Sequence, residues 1–335
     1  MIINSQQESF QGIGNKNYKP LIKWAGGKSR LNKQLLKVAD LALNSLNLEK
    51  FNYFEPFFGG GALFFDLYRY EKIHSAYIND IIPHLILFYE TVANKKWLES
   101  LFTEIESLSN AFEKGDKKQV YGSAKENSGW VNEFNELWLN KQPRTKEEKI
   151  KSAALFFVLN KTGFNGMFRL NKDGKFNIPK GDTNKINFND KVKNNFVEVS
   201  SILSNTEISC GSYEKLLPPQ NEINKKTSFI YLDPPYIPDS KTADFTDYSK
   251  EGFKEDDHER VANIFYQLAE GGYKVVLSNN ANKGAKEMYA GNADVFAYEV
   301  DVSRAIAKTK KGKRPPSKEL LVSSFNLDEL GMKRV

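Results

Sequence analysis

An open α/β sheet with an inserted helical subdomain is the fold class that the sequence predicts. Three observations lead there. Short apolar runs stop abruptly at polar or acidic residues, as in Phe229-Ile-Tyr-Leu-Asp233 and Tyr273-Lys-Val-Val-Leu-Ser-Asn-Asn280. Such runs read as buried strands whose carboxyl ends face a ligand crevice. Asn52-Tyr-Phe-Glu-Pro-Phe-Phe-Gly-Gly-Gly-Ala-Leu-Phe-Phe65 reads as strand, glycine turn and helix. Between Pro83 and Leu159 the apolar period changes to that of helices, with polar connectors between them.

The chain has 335 residues, room for one large domain or one domain with a sizeable insertion. No apolar run of about 18 residues occurs, so no transmembrane helix is expected. The Asn/Gln-rich N-terminus lacks the apolar core of a signal peptide, and the cytoplasm is the expected compartment. Cys210 is the single cysteine, which excludes an internal disulfide and a Cys-based zinc site. His74, His84 and His258 are scattered, so no metal is expected. The net charge of +6 fits a polyanionic partner without demanding one.

In order along the chain, residues 1–18 are expected to form a flexible N-terminus. Pro20-Leu-Ile-Lys-Trp-Ala-Gly-Gly-Lys-Ser-Arg30 then enters a helical pattern at Leu31, Leu35, Leu36 and Val38. Its Gly-Gly-Lys-Ser suggests a P-loop, but that motif needs glycine at position 22, where Ile22 stands. What is left is a glycine turn opening a helix, a place for an anionic group, with Trp24 and Lys28 alongside. The second glycine turn, at 59–61, lets a ligand approach the backbone closely, although it is not the G-x-G-x-x-G pattern. The strand Ser75-Ala-Tyr-Ile-Asn-Asp80 follows and ends in an acid about 20 positions on. An acid there can bind ribose hydroxyls; it can also simply cap a helix, and the two readings are compatible.

The helical stretch carries Leu85 to Val92, Trp97 to Ile105, Trp130 to Trp138 and Ala153 to Leu159 at helical spacing. These positions read as core. Residues 160–181 then form a predicted hairpin turning at Asp173-Gly174. It is basic, with Lys161, Arg169, Lys172, Lys175 and Lys180, and has Phe164 and Asn165 at its approach. A basic ribbon of this kind can enter a DNA groove, or be a solvated hairpin. The expected division is therefore a sheet domain from 19–84 and 190–335, and a helical domain from 85–189 that includes the hairpin. Val295 to Ile306 and Glu319 to Phe325 are expected strands flanking a basic run of Lys308, Lys310, Lys311, Lys313, Arg314 and Lys318. That run reads as a solvated loop or as a phosphate-contacting one.

The chemistry centres on Asp233-Pro234-Pro235-Tyr236. Two prolines halt the strand and leave Asp233 at its carboxyl end. The Asp233 carboxylate and the stiffly held carbonyl of Pro234 are two adjacent acceptors, suited to an amino group. Tyr236 offers a flat face to a planar base. An ordinary strand ending in a proline turn would look the same in isolation.

Taken together, Lys23-Trp24-Ala25-Gly26-Gly27-Lys28, Phe54-Glu55-Pro56-Phe57-Phe58-Gly59-Gly60-Gly61 and Asp233-Pro234-Pro235-Tyr236 resemble, in this order, the Dam-type, alpha-group DNA adenine-N6 methyltransferases. The resemblance spans roughly Pro20 to Ser324. It implies a Rossmann-like, S-adenosylmethionine-dependent methyltransferase sheet, with the target-recognition insertion between cofactor loop and catalytic motif. It implies that Asp233 and the Pro234 carbonyl orient the N6 amine of a flipped adenine, that Tyr236 stacks on it, and that N6 attacks the sulfonium methyl directly. The implied cofactor contacts are Trp24, Lys28, Phe57, Gly59, Asp80, Ser212, Tyr213 and Asp233. The hairpin resembles that of members reading GATC. Arg169 would read guanine, Phe164 would wedge into the duplex with Asn165 beside it, and Met167 and Pro179 would meet the outer base pair. A monomer acting on double-stranded DNA, without metal or membrane, is the family expectation. The resemblance includes bacterial and phage-encoded, nucleoid-associated enzymes, some working beside a restriction endonuclease that they need not touch.

Three rivals differ at the motif. Cytosine-N4 methyltransferases more often carry Ser before Pro-Pro, and protein glutamine methyltransferases carry Asn-Pro-Pro-Tyr. A regulator that binds DNA or nucleotide without catalysis has no use for an intact Asp233 and Tyr236.

Overall fold

The computed structural model describes residues 18–24, 26, 31–139, 142–218, 222–238, 253–289, 294–302 and 317–335. Lys28 and the basic positions Lys308, Lys310, Lys311, Lys313 and Arg314 lie outside them. In chain order the elements are α1 (Asn32–Leu46), β1 (Phe51–Glu55), α2 (Ala62–Arg69), β2 (Ile73–Asp80), α3 (Pro83–Ala93), α4 (Leu98–Lys114), α5 (Lys117–Tyr121), α6 (Gly129–Leu139), α7 (Lys146–Thr162), α8 (Asp190–Leu203), β3 (Thr206–Cys210), α9 (Glu222–Thr227), β4 (Ser228–Leu232), α10 (Glu255–Glu270), β5 (Lys274–Asn280), α11 (Lys283–Met288), β6 (Phe296–Val302), β7 (Ser317–Ser323) and β8 (Lys333–Arg334).

One mixed sheet runs in the order β3-β2-β1-β4-β5-β7-β6-β8. From β3 to β5 the strands are parallel, while β7 enters antiparallel between β5 and β6. The chain winds outward from β1 through β2 to β3, then returns to start β4 on the other side of β1. That reversal opens a crevice beyond the carboxyl ends of β1 and β4, where open α/β sheets bind ligands. This is a Rossmann-like arrangement.

Alternation along the central strands builds the layers. Phe229 and Tyr231 of β4 enter one core with α1, α2 and the helices of the insertion. Ile230 and Leu232 enter the other, with Val261, Phe265 and Leu268 of α10. All five β4 residues are buried, as a continuous apolar run between two helical layers requires. The helices α3, α4, α6 and α7 share the first core without a break. An unbroken aromatic set, including Phe88, Phe134, Phe156 and Phe168, runs through it. Helix α7 begins with a capping box, Thr145 and Glu148 each accepting the other's backbone N–H.

Two details differ from expectation. Tyr18, the last residue of the expected flexible segment, is buried; its ring packs edge-on against Tyr68, and its carbonyl accepts from Arg69. The expected hairpin turns where Asp173-Gly174 predicts, but it does not form a ladder. Its pairing is limited to isolated bridges, Gly163 with Lys180 and Leu170 with Phe176. Between them a 3-10 turn at Phe164–Gly166, with Asn165 and Gly166 at positive φ, throws the chain out of extended geometry. Opposite that turn Pro179 has no N–H to give.

Candidate active site

Three strands deliver acidic residues to the crevice. Glu55 ends β1, Asp80 ends β2, and Asp233 directly follows β4. Asp233 Oδ1 accepts from Ser278 Oγ at 2.8 Å. The Ser278 hydroxyl stands 2.9 Å from that of Tyr231. Because the serine proton is committed to the carboxylate, Tyr231 is the donor to Ser278. Buried Tyr231 and Ser278 thus aim one oxygen of Asp233 from beneath. Pro234 is buried and Tyr236 half-buried. Beyond them, Ile237 N–H donates to Asn279 Oδ1 at 3.0 Å, and its carbonyl accepts from Asn280 and Asn282 at 3.0 and 2.8 Å. The Tyr236 hydroxyl donates to Glu319 Oε2 of β7 at 2.9 Å.

The glycine turn after β1 is held from two sides. Gly59 N–H donates to Asp80 Oδ2 at 2.9 Å, and Ile82 N–H donates to Oδ1 at 3.0 Å. Asp80 therefore braces the loop and the start of α3 with both oxygens. Burial pushes its pKa up to about 6, against the pull of those N–H groups. Buried Asn79 ties the Pro56 and Gly211 carbonyls together at 3.1 and 2.9 Å. Gly59 has φ +50, and a Cβ there would stand 2.7 Å from Trp24 Cδ1. The glycine is needed because the Trp24 ring lies on the loop. That ring also stacks on Phe168 at 6.0 Å between centroids.

Apolar surface completes the crevice. Phe57 stacks on Tyr213 at 4.9 Å, with Phe253 edge-on to Phe57. Ser212 donates to Glu214 at 3.0 Å. Ile81, next to Asp80, is 58% exposed, unusual for so large an apolar side chain. Glu55 is buried beside the hydroxyl of Tyr53. Burial raises its pKa, the Tyr53 hydroxyl pulls the other way, and Asp233 and Asp80 add to the rise. A buried acid clustered with two others suits a cationic ligand group, which would relieve their mutual repulsion.

Comparison with known proteins adds the chemistry. Residues 24–306 match the family described as D12 class N6 adenine-specific DNA methyltransferase. The chain belongs to that family. It is 35% identical over 267 residues to the Type II methyltransferase M.MjaIII of Methanocaldococcus jannaschii, covering 79% of this chain and 85% of the relative. It is 31% identical to the Type II methyltransferase M1.LlaDCHI of Lactococcus lactis subsp. cremoris, over 92% of this chain and 96% of that one. It is 30% identical to a DNA adenine methylase of Vibrio cholerae, over 82% and 86% respectively.

The adenine methyltransferase thus modifies DNA, and the expected DNA-facing residues sit together on the excursion after α7. Phe164 is 50% exposed, and Asn165, Arg169 and Pro179 are exposed. Pro179 O accepts from Phe164 N–H at 2.9 Å, placing these two side by side. Arg169 Nε donates to Asn177 Oδ1 at 3.0 Å. Met167 is half-buried against Phe134, Phe156 and Phe168 at the lining of a small apolar cavity. Asn171 Oδ1 accepts from Asp173 and Lys175 N–H and stiffens the tip.

Two basic residues are already engaged within the protein. Lys161 turns inward, donating to the Leu21 carbonyl at 2.7 Å, and burial lowers its pKa to about 8 with Lys23 adding to the effect. Lys318 is paired with Glu299 at 2.6 Å. Sequence reasoning also missed Glu55, Ser278, Asn279 and Glu319. Glu55 was readable from its place before Pro56 in the glycine motif; the others act through pairing across the sheet. Among the described residues no helix is long and apolar enough to cross a membrane, and no cluster could hold a metal ion.

Proposed function

We propose that this methyltransferase takes its methyl group from S-adenosylmethionine and places it on N6 of an adenine flipped out of double-stranded DNA, within GATC. The observation that carries the reading is the meeting of Asp233 and Tyr236, fixed by β5 and β7, with the glycine loop of β1 at one switch-point crevice. The residues suit the cofactor. Glu55 offers a buried acid, clustered with Asp80 and Asp233, to a cationic centre, and Phe57, Tyr213 and Ile81 offer apolar surface to a purine. Asp80 keeps lone pairs for a ribose hydroxyl beyond the two N–H bonds it accepts. Trp24, Gly59 and, from the sequence, Lys28 complete that side. When bound, the cofactor supplies a methyl activated by a sulfonium.

Asp233 and the Pro234 carbonyl accept from the exocyclic amine and turn its lone pair out of the ring plane. Tyr236 stacks on the base and holds it in line, so that positioning supplies much of the rate. Residues 85–189 read the duplex: Arg169 pairs with guanine O6 and N7, Phe164 fills the space left by the flipped base, and Asn165, Met167 and Pro179 shape the rest. Lys308, Lys310, Lys311, Lys313 and Arg314 grip phosphates, and one copy of the chain suffices.

The test is to map modified bases in DNA from cells that lack adenine methylation and express the protein. N6-methyladenine confined to GATC is the expected result; modification in other contexts withdraws the sequence assignment, and N4-methylcytosine overturns the reaction. Asp233→Ala should lower transfer by about a thousandfold or more while leaving duplex binding in place, measured by radiolabelled methyl transfer and by retardation of DNA.

A further inference from the structure

We infer that Glu319 is the positioning residue of Tyr236, fixing its ring and enriching it in electrons for the positive charge that the base gains during methylation. The inference rests on the proposed stacking of the target adenine on Tyr236. It is carried by the 2.9 Å hydrogen bond from the tyrosine hydroxyl to Glu319 Oε2, between groups 83 positions apart. Stacking by itself needs no hydroxyl, since a phenylalanine ring would offer the same face. The hydroxyl therefore has a separate job, and its acceptor identifies it.

Two consequences follow from an anionic acceptor. The first is geometric. Asn279, Asn280 and Asn282 already grip the backbone at Ile237, so a tether on the ring's far end removes the side chain's remaining torsional freedom. Glu319 reaches it because β7 enters the sheet antiparallel and sets Glu319 beside Asn280 at the end of β5. The second is electronic. A phenol donating to a carboxylate carries more negative charge on its ring face. Burial, with Asp233 and Glu319 acting in the same direction, raises the Tyr236 pKa well above its usual value, so the hydroxyl stays protonated and remains the donor.

In the reaction, the N6 electron pair forms the bond to the methyl carbon while the carbon–sulfur bond breaks and its pair passes to sulfur. The purine carries the positive charge until its N6 proton leaves to Asp233 or to water. A cation over an electron-rich ring is attracted to it. The attraction grows only as the charge develops, so it lowers the barrier rather than tightening ground-state binding.

The test is a double-variant cycle in the full chain, using Tyr236→Phe, Glu319→Ala and Glu319→Gln. It measures kcat, KM for duplex DNA, and fluorescence of 2-aminopurine at the target position. Tyr236→Phe and Glu319→Ala should each lower kcat by roughly 3- to 30-fold, with KM for DNA changed less than about twofold. The double variant should be no slower than the slower single one, and Glu319→Gln should recover part of the loss. Additive losses, or an unchanged kcat in Glu319→Ala, overturn the inference. Should Glu319→Ala lose its thermal transition, the near-isosteric Tyr236→Phe and Glu319→Gln cycle decides by the same rule. Tyr236→Leu separates the inference from the reading beneath it. If its 2-aminopurine signal matches wild type, the ring does not stack and both fall; if the signal changes while the losses add, only the role of Glu319 falls.

Discussion

Asp80 shows how a single side chain joins site and stability. Its carboxylate is buried to brace the glycine loop, and burial lifts its pKa from 3.8 to about 6. The folded chain therefore holds that proton more tightly than the unfolded one. The group favours folding most below pH 4, and the advantage is lost as the pH rises through 6, a swing of about 3 kcal/mol. Asp80→Asn has no such titration. The difference in melting temperature between wild type and variant should thus shift against the wild type between pH 4 and pH 7. A constant difference across that range would show that Asp80 ionises as a solvated acid does. The same residue marks where sequence reading stopped. Its place at a strand end was legible from the apolar run before it, whereas the engagement of both oxygens with Gly59 and Ile82 depends on how the loop folds back.

Among elements, the glycine turn and the excursion after α7 carry the next expectations. Gly59→Ala forces a side chain into left-handed backbone and against Trp24. It should lower unfolding free energy by roughly 1–3 kcal/mol in denaturant titration. It should also change tryptophan emission, because the Trp24 ring must move. Arg169→Ala should weaken binding to the preferred duplex by about 1–3 kcal/mol while leaving random duplex nearly unaffected. Equal losses on both duplexes would make Arg169 a phosphate contact. Elements with a strong period were readable in advance. Strands β4 and β5 declared themselves by buried runs, and the turn at Asp173-Gly174 by its dipeptide. Lys161 was not readable, since a lysine flanking a hairpin looks solvated until a carbonyl such as that of Leu21 is found within reach. Ser278 and Glu319 were hidden for a related reason: each meets its partner only through strand pairing, 45 and 83 positions away along the chain.

At the scale of the whole molecule, the net charge of +6 matters through its placement. Lys318 is held by Glu299, and the proposed phosphate contacts are the charges from Lys308 to Arg314. Each of those charges that meets a phosphate contributes about 0.9 to the slope of log affinity against log salt. Neutralising all five should flatten that slope by several units, as read from fluorescence anisotropy on a labelled duplex; an unaltered slope would mark the run as solvated.

The sheet's topology also governs how the molecule comes into being. Strands β1 and β4 are adjacent, with Asn52 and Thr227 touching across 175 positions of chain. Closing so long a loop costs little free energy, because the penalty grows only with the logarithm of its length. It is slow, however, and leaves the edge of β1 unpaired meanwhile. On the ribosome, the glycine loop and the insertion emerge well before the strand that bears Asp233. A nascent chain can acquire its helical core early, while the centre that transfers the methyl group is sealed only when the second half of the sheet arrives.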